Sequence, residues 1–317
     1  MVAANSNALH EVDDARQANP ELNRIMSSSQ GHFIWYELAT TNMETAKLFY
    51  TKVVGWGAQD VAMPGVAYTL FTAEGAPICG LMSLPEDARE SGYRPTWLGY
   101  IAVDDVDFTA GRIARLGGEI HVPPKEIPNI SRFAVAVDPQ RVTIAVFKWL
   151  DGGGQQPSAL DAPGHVGWHE LLAADRVKAF AFYAELFGWQ KVGDESRAAD
   201  AYQLFSAGGQ TIGGICTKPA AVPFPFWLYC FNVPDIDTAM ARVNEGGGEI
   251  LDGPFEVPDG RWMLRCTDPQ GAIFALLGKR SGDSTEHPAT SQVRWSTDWN
   301  GLSLRGKLLV TRIPPSE

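Results

Sequence analysis

The string GHFIWYELATTNMETAKLFYTKVVGW at Gly31–Trp56 returns without gaps as GHVGWHELLAADRVKAFAFYAELFGW at Gly164–Trp189. Trp35 aligns with Trp168, Glu37 with Glu170, Tyr50 with Tyr183 and Trp56 with Trp189, each pair 133 positions apart. A repeat of this period limits the chain to two copies of one unit, so it is read before any other signal. The echo runs on: YTLF at Tyr68 and YQLF at Tyr202, ICGL at Ile78 and IGGI at Ile212, WLGYIAVDDVD at Trp97 and WLYCFNVPDID at Trp227. GGEI recurs at Gly117 and Gly247, and DPQ at Asp138 and Asp268. The sequence therefore divides into a disordered segment 1–30, a first domain 31–150, a Gly- and Pro-rich linker 151–163, a second domain 164–280 and a tail 281–317. The tail carries Trp295, Trp299 and Leu302, and its role is left open.

Within each copy the periodicity changes twice. FIWYELA alternates as a half-buried strand, and the residues after it place Met43, Ala46, Leu48, Phe49 and Val53 at helical spacing behind an Asn42 or Thr41 cap. Two extended runs follow, VAYTLFTA and APICGLMSL. WLGYIAV then opens a second strand–helix–strand series, its helix capped by Asp104 or Asp105 and stopped by Gly117 and Gly118. Each copy thus holds two βαβββ modules, an α+β arrangement.

The FY near the end of the first helix, the GW after it, VDDVD, GG and DPQG together resemble the vicinal oxygen chelate superfamily, which includes glyoxalase I, bleomycin-resistance proteins and extradiol dioxygenases. The resemblance is closest to its tandem glyoxalase-like members. It implies that two modules curl into a cup-shaped sheet, and that a divalent metal sits in the cup on a His or Gln, a His and a Glu. By that resemblance the ligand positions fall at Trp35 and Trp168, at Trp97 or Leu98 and Trp227 or Leu228, and at Ala145 and Ala275. None of these side chains is a usual ligand. The expectation is therefore no cofactor and a site without metal.

The cups offer aromatic rings and a carboxylate instead. Period two puts Trp35 with Glu37, and Trp168 with Glu170, on one face of their strands. A carboxylate walled by Trp and Tyr has a raised pKa and can move a proton near neutral pH. The opposing reading pairs each Glu with an arginine, Arg132 or Arg261, as a buried ion pair. Tyr68, Tyr100 and Tyr202 line the cups or are core aromatics; Trp97, Trp227 and Tyr229 are further candidates for ligand contact. His169 packs between layers, and His32 and His165 lie at the strand entrances.

Two functions stay open: a metal-independent binder of a small aromatic or apolar molecule, or an isomerase or lyase. The latter uses Glu37 or Glu170 as base beside a carbonyl, with Arg132 or Arg261 holding the oxyanion. With 37 acidic against 26 basic residues the net charge is -11, which excludes a broad nucleic-acid or anionic-membrane surface. There is no phosphate-cradling GxxxxGK[ST] and no GxSxG elbow. Cys79, Cys216, Cys230 and Cys266 form no CxxC pair and read as reduced core thiols. Residues 1–30 are polar and acidic and no apolar run spans a membrane, so a cytoplasmic protein is expected, as a monomeric pseudo-dimer or a homodimer.

Overall fold

The computed structural model describes residues 29–63, 66–90, 92–150, 159–193 and 202–280. The terminal segments and most of the expected linker lie outside these residues. The first module comprises β1 (Phe33–Thr40), α1 (Met43–Val53), β2 (Gly57–Met63), β3 (Val66–Ala73) and β4 (Ala76–Ser83). After a short helix α2 (Glu86–Glu90), the second comprises β5 (Thr96–Ala102), α3 (Val106–Arg115), β6 (Glu119–Ile127), β7 (Ser131–Val137) and β8 (Thr143–Trp149). The third is β9 (Val166–Ala173), α4 (Arg176–Phe187), β10 (Gln190–Val192), β11 (Tyr202–Ala207) and β12 (Gln210–Thr217). The fourth is β13 (Phe226–Asp235), α5 (Ile236–Glu245), β14 (Glu249–Glu256), β15 (Trp262–Thr267) and β16 (Ile273–Lys279).

The modules join pairwise through their first strands. One eight-stranded sheet runs β2-β3-β4-β1-β5-β8-β7-β6, the other β10-β11-β12-β9-β13-β16-β15-β14. In each, the central pair is antiparallel and its outer neighbours are parallel. This is the expected α+β architecture of four βαβββ modules in two tandem halves. No helix is long and apolar enough to cross a membrane among the described residues.

The helices form where local chemistry directs. Asn42, Asp105, Asp175 and Asp235 each cap a helix by accepting from the backbone N–H three residues on, satisfying one of its orphan donors. The helix α1 then buries Ala46, Phe49, Tyr50 and Val53, a single stripe at helical spacing.

That stripe crosses to the other half. Tyr50 donates to Asp268 at 3.3 Å and accepts from Trp97 Nε1 at 2.9 Å; reciprocally, Tyr183 donates to Asp138 at 3.0 Å and accepts from Trp227 Nε1 at 3.2 Å. Trp56 Nε1 donates to the Gly164 carbonyl and Trp189 Nε1 to that of Gly31, at 2.8 and 2.7 Å. Tyr36 and His169 occupy equivalent positions and bond each other at 2.6 Å. The residues written twice are thus the two sides of a seam with twofold pairing.

Candidate functional site

Alternation along the central strands divides the side chains into a seam face and a cup face. Tyr36, Leu38, Trp97 and Ile101 join the large shared core, while Trp35, Tyr100, Ala145 and Phe147 form a separate cluster in the first sheet. This corrects three expected ligand contacts. Trp97 packs on Tyr50, Trp56 and Phe231, and Trp227 on Tyr183, Trp189 and Phe205, all on the seam. Tyr229, aligned with Gly99, fills the space that glycine leaves: its hydroxyl accepts from the Gly99 N–H at 2.8 Å, again away from either cup.

In the first cup Glu37 is half-buried and accepts a hydrogen bond on each oxygen, from Tyr68 at 2.8 Å and from Tyr100 at 2.9 Å. Tyr68 reaches it across Gly80, where any Cβ would collide with the phenol; Gly214 makes the same room for Tyr202. The repeated glycines of ICGL and IGGI are therefore needed for the tyrosine to meet the carboxylate. Burial raises the Glu37 pKa, while the two phenols act in the opposite direction. Among the described residues no cation pairs with Glu37. Arg132, expected as its partner, lies on the opposite face of β7, where it pairs with Asp107 at 2.6 Å and with Glu126 at 3.4 Å.

The second cup starts from the same residues and ends differently. Trp168 donates to Tyr202 at 2.9 Å and Tyr202 to Glu170 at 3.1 Å. Glu170 is only 1% exposed and pairs with Arg265, itself 0% exposed, at 3.0 Å; Arg265 also pairs with Asp252 at 3.0 Å and stacks on Phe255. Arg261, the expected partner, instead binds Asp259 and Asn232. The ion-pair reading thus holds for Glu170 alone, through another arginine. A lone basic residue inside the apolar run WMLRCT was the available signal, since a buried guanidinium demands a buried carboxylate.

Register makes the divergence residue by residue. Trp35, Tyr100, Ala145, Val135 and Val122 lie side by side across the first sheet. In the second the row reads Trp168, Cys230, Ala275, Arg265 and Asp252. Val135 and Val122 hold the places of the ion pair. Val222, Val257 and Met263 are buried against the second cup, where Tyr202, Phe226 and Phe255 stay partly buried, as do Tyr68, Phe133, Val135 and Trp149 of the first.

A metal does not fit these rows. Tyr100 and Cys230, rather than Trp97 or Leu98 and their counterparts, flank the Trp and Ala positions, so each row offers one donor between an indole and a methyl group. Among the described residues no three His, Cys, Asp or Glu side chains converge as a metal site.

A separate small pocket opens at the seam between His32, Tyr36, Cys79, His165, His169 and Gln210. Its chemistry is largely used up internally. The Ile212 carbonyl can only accept, so at 2.7 Å it assigns the proton to His169 Nδ1 and leaves Nε2 to accept from Tyr36. Burial lowers the His169 pKa to about 4 and keeps the ring neutral, as its expected packing role requires. His32, expected at a surface entrance, is buried.

Comparison with known proteins agrees with this architecture. The model of the Glyoxalase/Bleomycin resistance protein/Dioxygenase superfamily matches residues 30–146 and 163–276. CFP32 of Mycobacterium tuberculosis, provisionally named a glyoxylase, is 32% identical over 78% of this chain and 95% of its own length. The anthracycline biosynthesis protein DnrV of Streptomyces peucetius is 28% identical over 78% of this chain and 93% of its own. Among solved structures, the Mn(II)-bound glyoxalase from Novosphingobium aromaticivorans has a TM-score of 0.53 at 15% identity, covering 80% of this chain and 83% of that one. The 2,2',3-trihydroxybiphenyl 1,2-dioxygenase of Sphingomonas wittichii scores 0.55 at 13% identity, covering 80% and 91%. At such identities these two structures bear on fold alone.

Proposed function

The chain belongs to the glyoxalase/bleomycin resistance protein/dioxygenase superfamily, and from that premise we propose that it is a metal-independent small-molecule binding protein whose first cup takes a flat aromatic ligand. The observation that carries this reading is the unequal fate of the repeated glutamate. Glu170 is buried and paired with Arg265, while Glu37 stands half-buried among Trp35, Tyr68 and Tyr100 with no cation on it among the described residues. Aromatic walls supply contact area, and a carboxylate in a low-dielectric wall supplies one strong acceptor that orients a ligand hydroxyl or amine. The relative named for anthracycline biosynthesis supports a fused-ring aromatic class. The net charge of -11 disfavours nucleic acid and anionic membrane as partners, and the bonded seam lets one chain pair its own halves.

Quenching of tryptophan fluorescence by 2-hydroxyanthraquinone tests this. Glu37→Gln lowers affinity about tenfold or more, the share of a charge-assisted hydrogen bond. The double substitution Glu170→Gln with Arg265→Met, which leaves the net charge of the second cup unchanged, leaves affinity unchanged. Equal losses in both variants, or none in either, contradict the assignment.

One observation favours a second reading, proton transfer. A carboxylate with a raised pKa, held on both oxygens by phenols, is placed to take a proton from carbon beside a ligand carbonyl. Among the described residues only Glu37 meets that description. Turnover of a bound hydroxyaryl ketone that vanishes in Glu37→Gln while binding persists distinguishes an isomerase or lyase from a binder.

A further inference from the structure

The far wall of the first cup carries polar groups that the binding reading has not used. Ser131 is 0% exposed, and its Oγ has no hydrogen-bond partner; neither has the buried Nε1 of Trp149. The two residues are direct cross-strand partners on β7 and β8, so their side chains share a face. That face is the cup: the Trp149 indole packs edge-on against Trp35 and against Phe147, at centroid distances of 6.4 and 4.7 Å. Ser131, Phe133 and Val135 alternate onto it along β7. Beside them Lys125 lies over the Phe133 ring at 5.2 Å, bringing positive charge to the same wall.

An unpaired buried donor costs about 1–3 kcal/mol, and native proteins leave few of them. Two adjacent ones in a single wall, on the sheet face that also carries the Glu37 carboxylate, describe a site that lacks one oxygen atom. We propose that Ser131 Oγ and Trp149 Nε1 form the recognition end of the first cup, donating to a carbonyl oxygen of a ligand whose hydroxyl faces Glu37. The ligand class is then a hydroxylated aryl ketone or quinone. This rests on the aromatic-cup reading and adds polarity and direction to it. A carboxylate at the hydroxyl end is disfavoured, because it would meet Glu37.

The test compares two probes of one ring skeleton, 2-hydroxyanthraquinone and 2-hydroxyanthracene, the second lacking both carbonyls. Affinities are read by tryptophan quenching of the full chain in slightly acidic buffer, for wild type, Ser131→Ala and Trp149→Phe. The wild type is expected to prefer the quinone by about tenfold or more, and each variant to lose about fivefold of that preference, the share of one hydrogen bond, while holding 2-hydroxyanthracene as before. Thermal unfolding separates this from a structural role. Ser131→Ala removes an unpaired hydroxyl, so its unliganded Tm is equal to or above wild type. Equal wild-type affinity for both probes, or a preference that survives in both variants, overturns the proposal and leaves the aromatic cup standing. Failure of both probes to bind the wild type overturns both readings.

Discussion

One carboxylate written twice has two environments, and the difference is set by single residues on a strand three places away across the sheet. Where Arg265 stands, Glu170 is locked into a dry ion pair; where Val135 stands, Glu37 has only phenols. Arg265→Met therefore leaves Glu170 buried without its cation and should cost about 3–5 kcal/mol of stability by denaturant unfolding. Replacing Arg265 and Glu170 together by Met and Gln should recover much of that loss, because the fully buried charge is gone and only the partly exposed Asp252 is left without its arginine. At the seam His169 gives a pH signature. Its folded pKa of about 4 lies below the ordinary 6.5, so the unfolded chain takes the proton more readily. The His169 contribution is intact above about 6.5 and is lost as pH falls from there to about 4, on the order of 3 kcal/mol in all. Its ring resonances in an NMR titration should stay at the neutral position until the acid end of that window; titration near 6.5 would contradict the buried Tyr36 bond.

At the scale of strands and helices the motifs that mark the family proved to be seam chemistry. FY, GW and DPQ supply Tyr50, Trp56 and Asp138 with their counterparts, and each tyrosine ties a helix of one half to a turn of the other. Tyr50→Phe or Tyr183→Phe strands a buried indole N–H and removes one donor from a buried aspartate, so each should cost about 1–3 kcal/mol in chemical denaturation. Little or no loss would mean that the seam rests on apolar packing alone. The module order and the cup face of β1 were legible in the sequence, because hydrophobic period and the 133-residue echo both report on single strands. Partners on distant strands were not legible. Arg132 and Arg261 were placed by distance from DPQ, yet Arg132 falls on the seam side of its strand and Arg261 just before β15 begins. Trp97 misses the cup by one residue, since Leu98 and Tyr100 take that face. Ser131 and Trp149 carried no local signal at all, as an unmet hydrogen bond exists only in three dimensions.

For the whole molecule, reciprocal bonds make the halves mutually dependent while leaving the cups independent. A tandem of this kind keeps its seam constant and lets one cup bury an ion pair while the other keeps its carboxylate among phenols. Calorimetry of the full chain should accordingly show a single unfolding transition, because neither half retains its tyrosine–aspartate partners when the other unfolds. The most direct test of the unequal cups is native mass spectrometry of the full chain with excess 2-hydroxyanthraquinone, before and after treatment with a chelator. The account predicts one bound molecule per chain and the same occupancy after chelation. Two molecules per chain, or occupancy that disappears with the chelator, would contradict it.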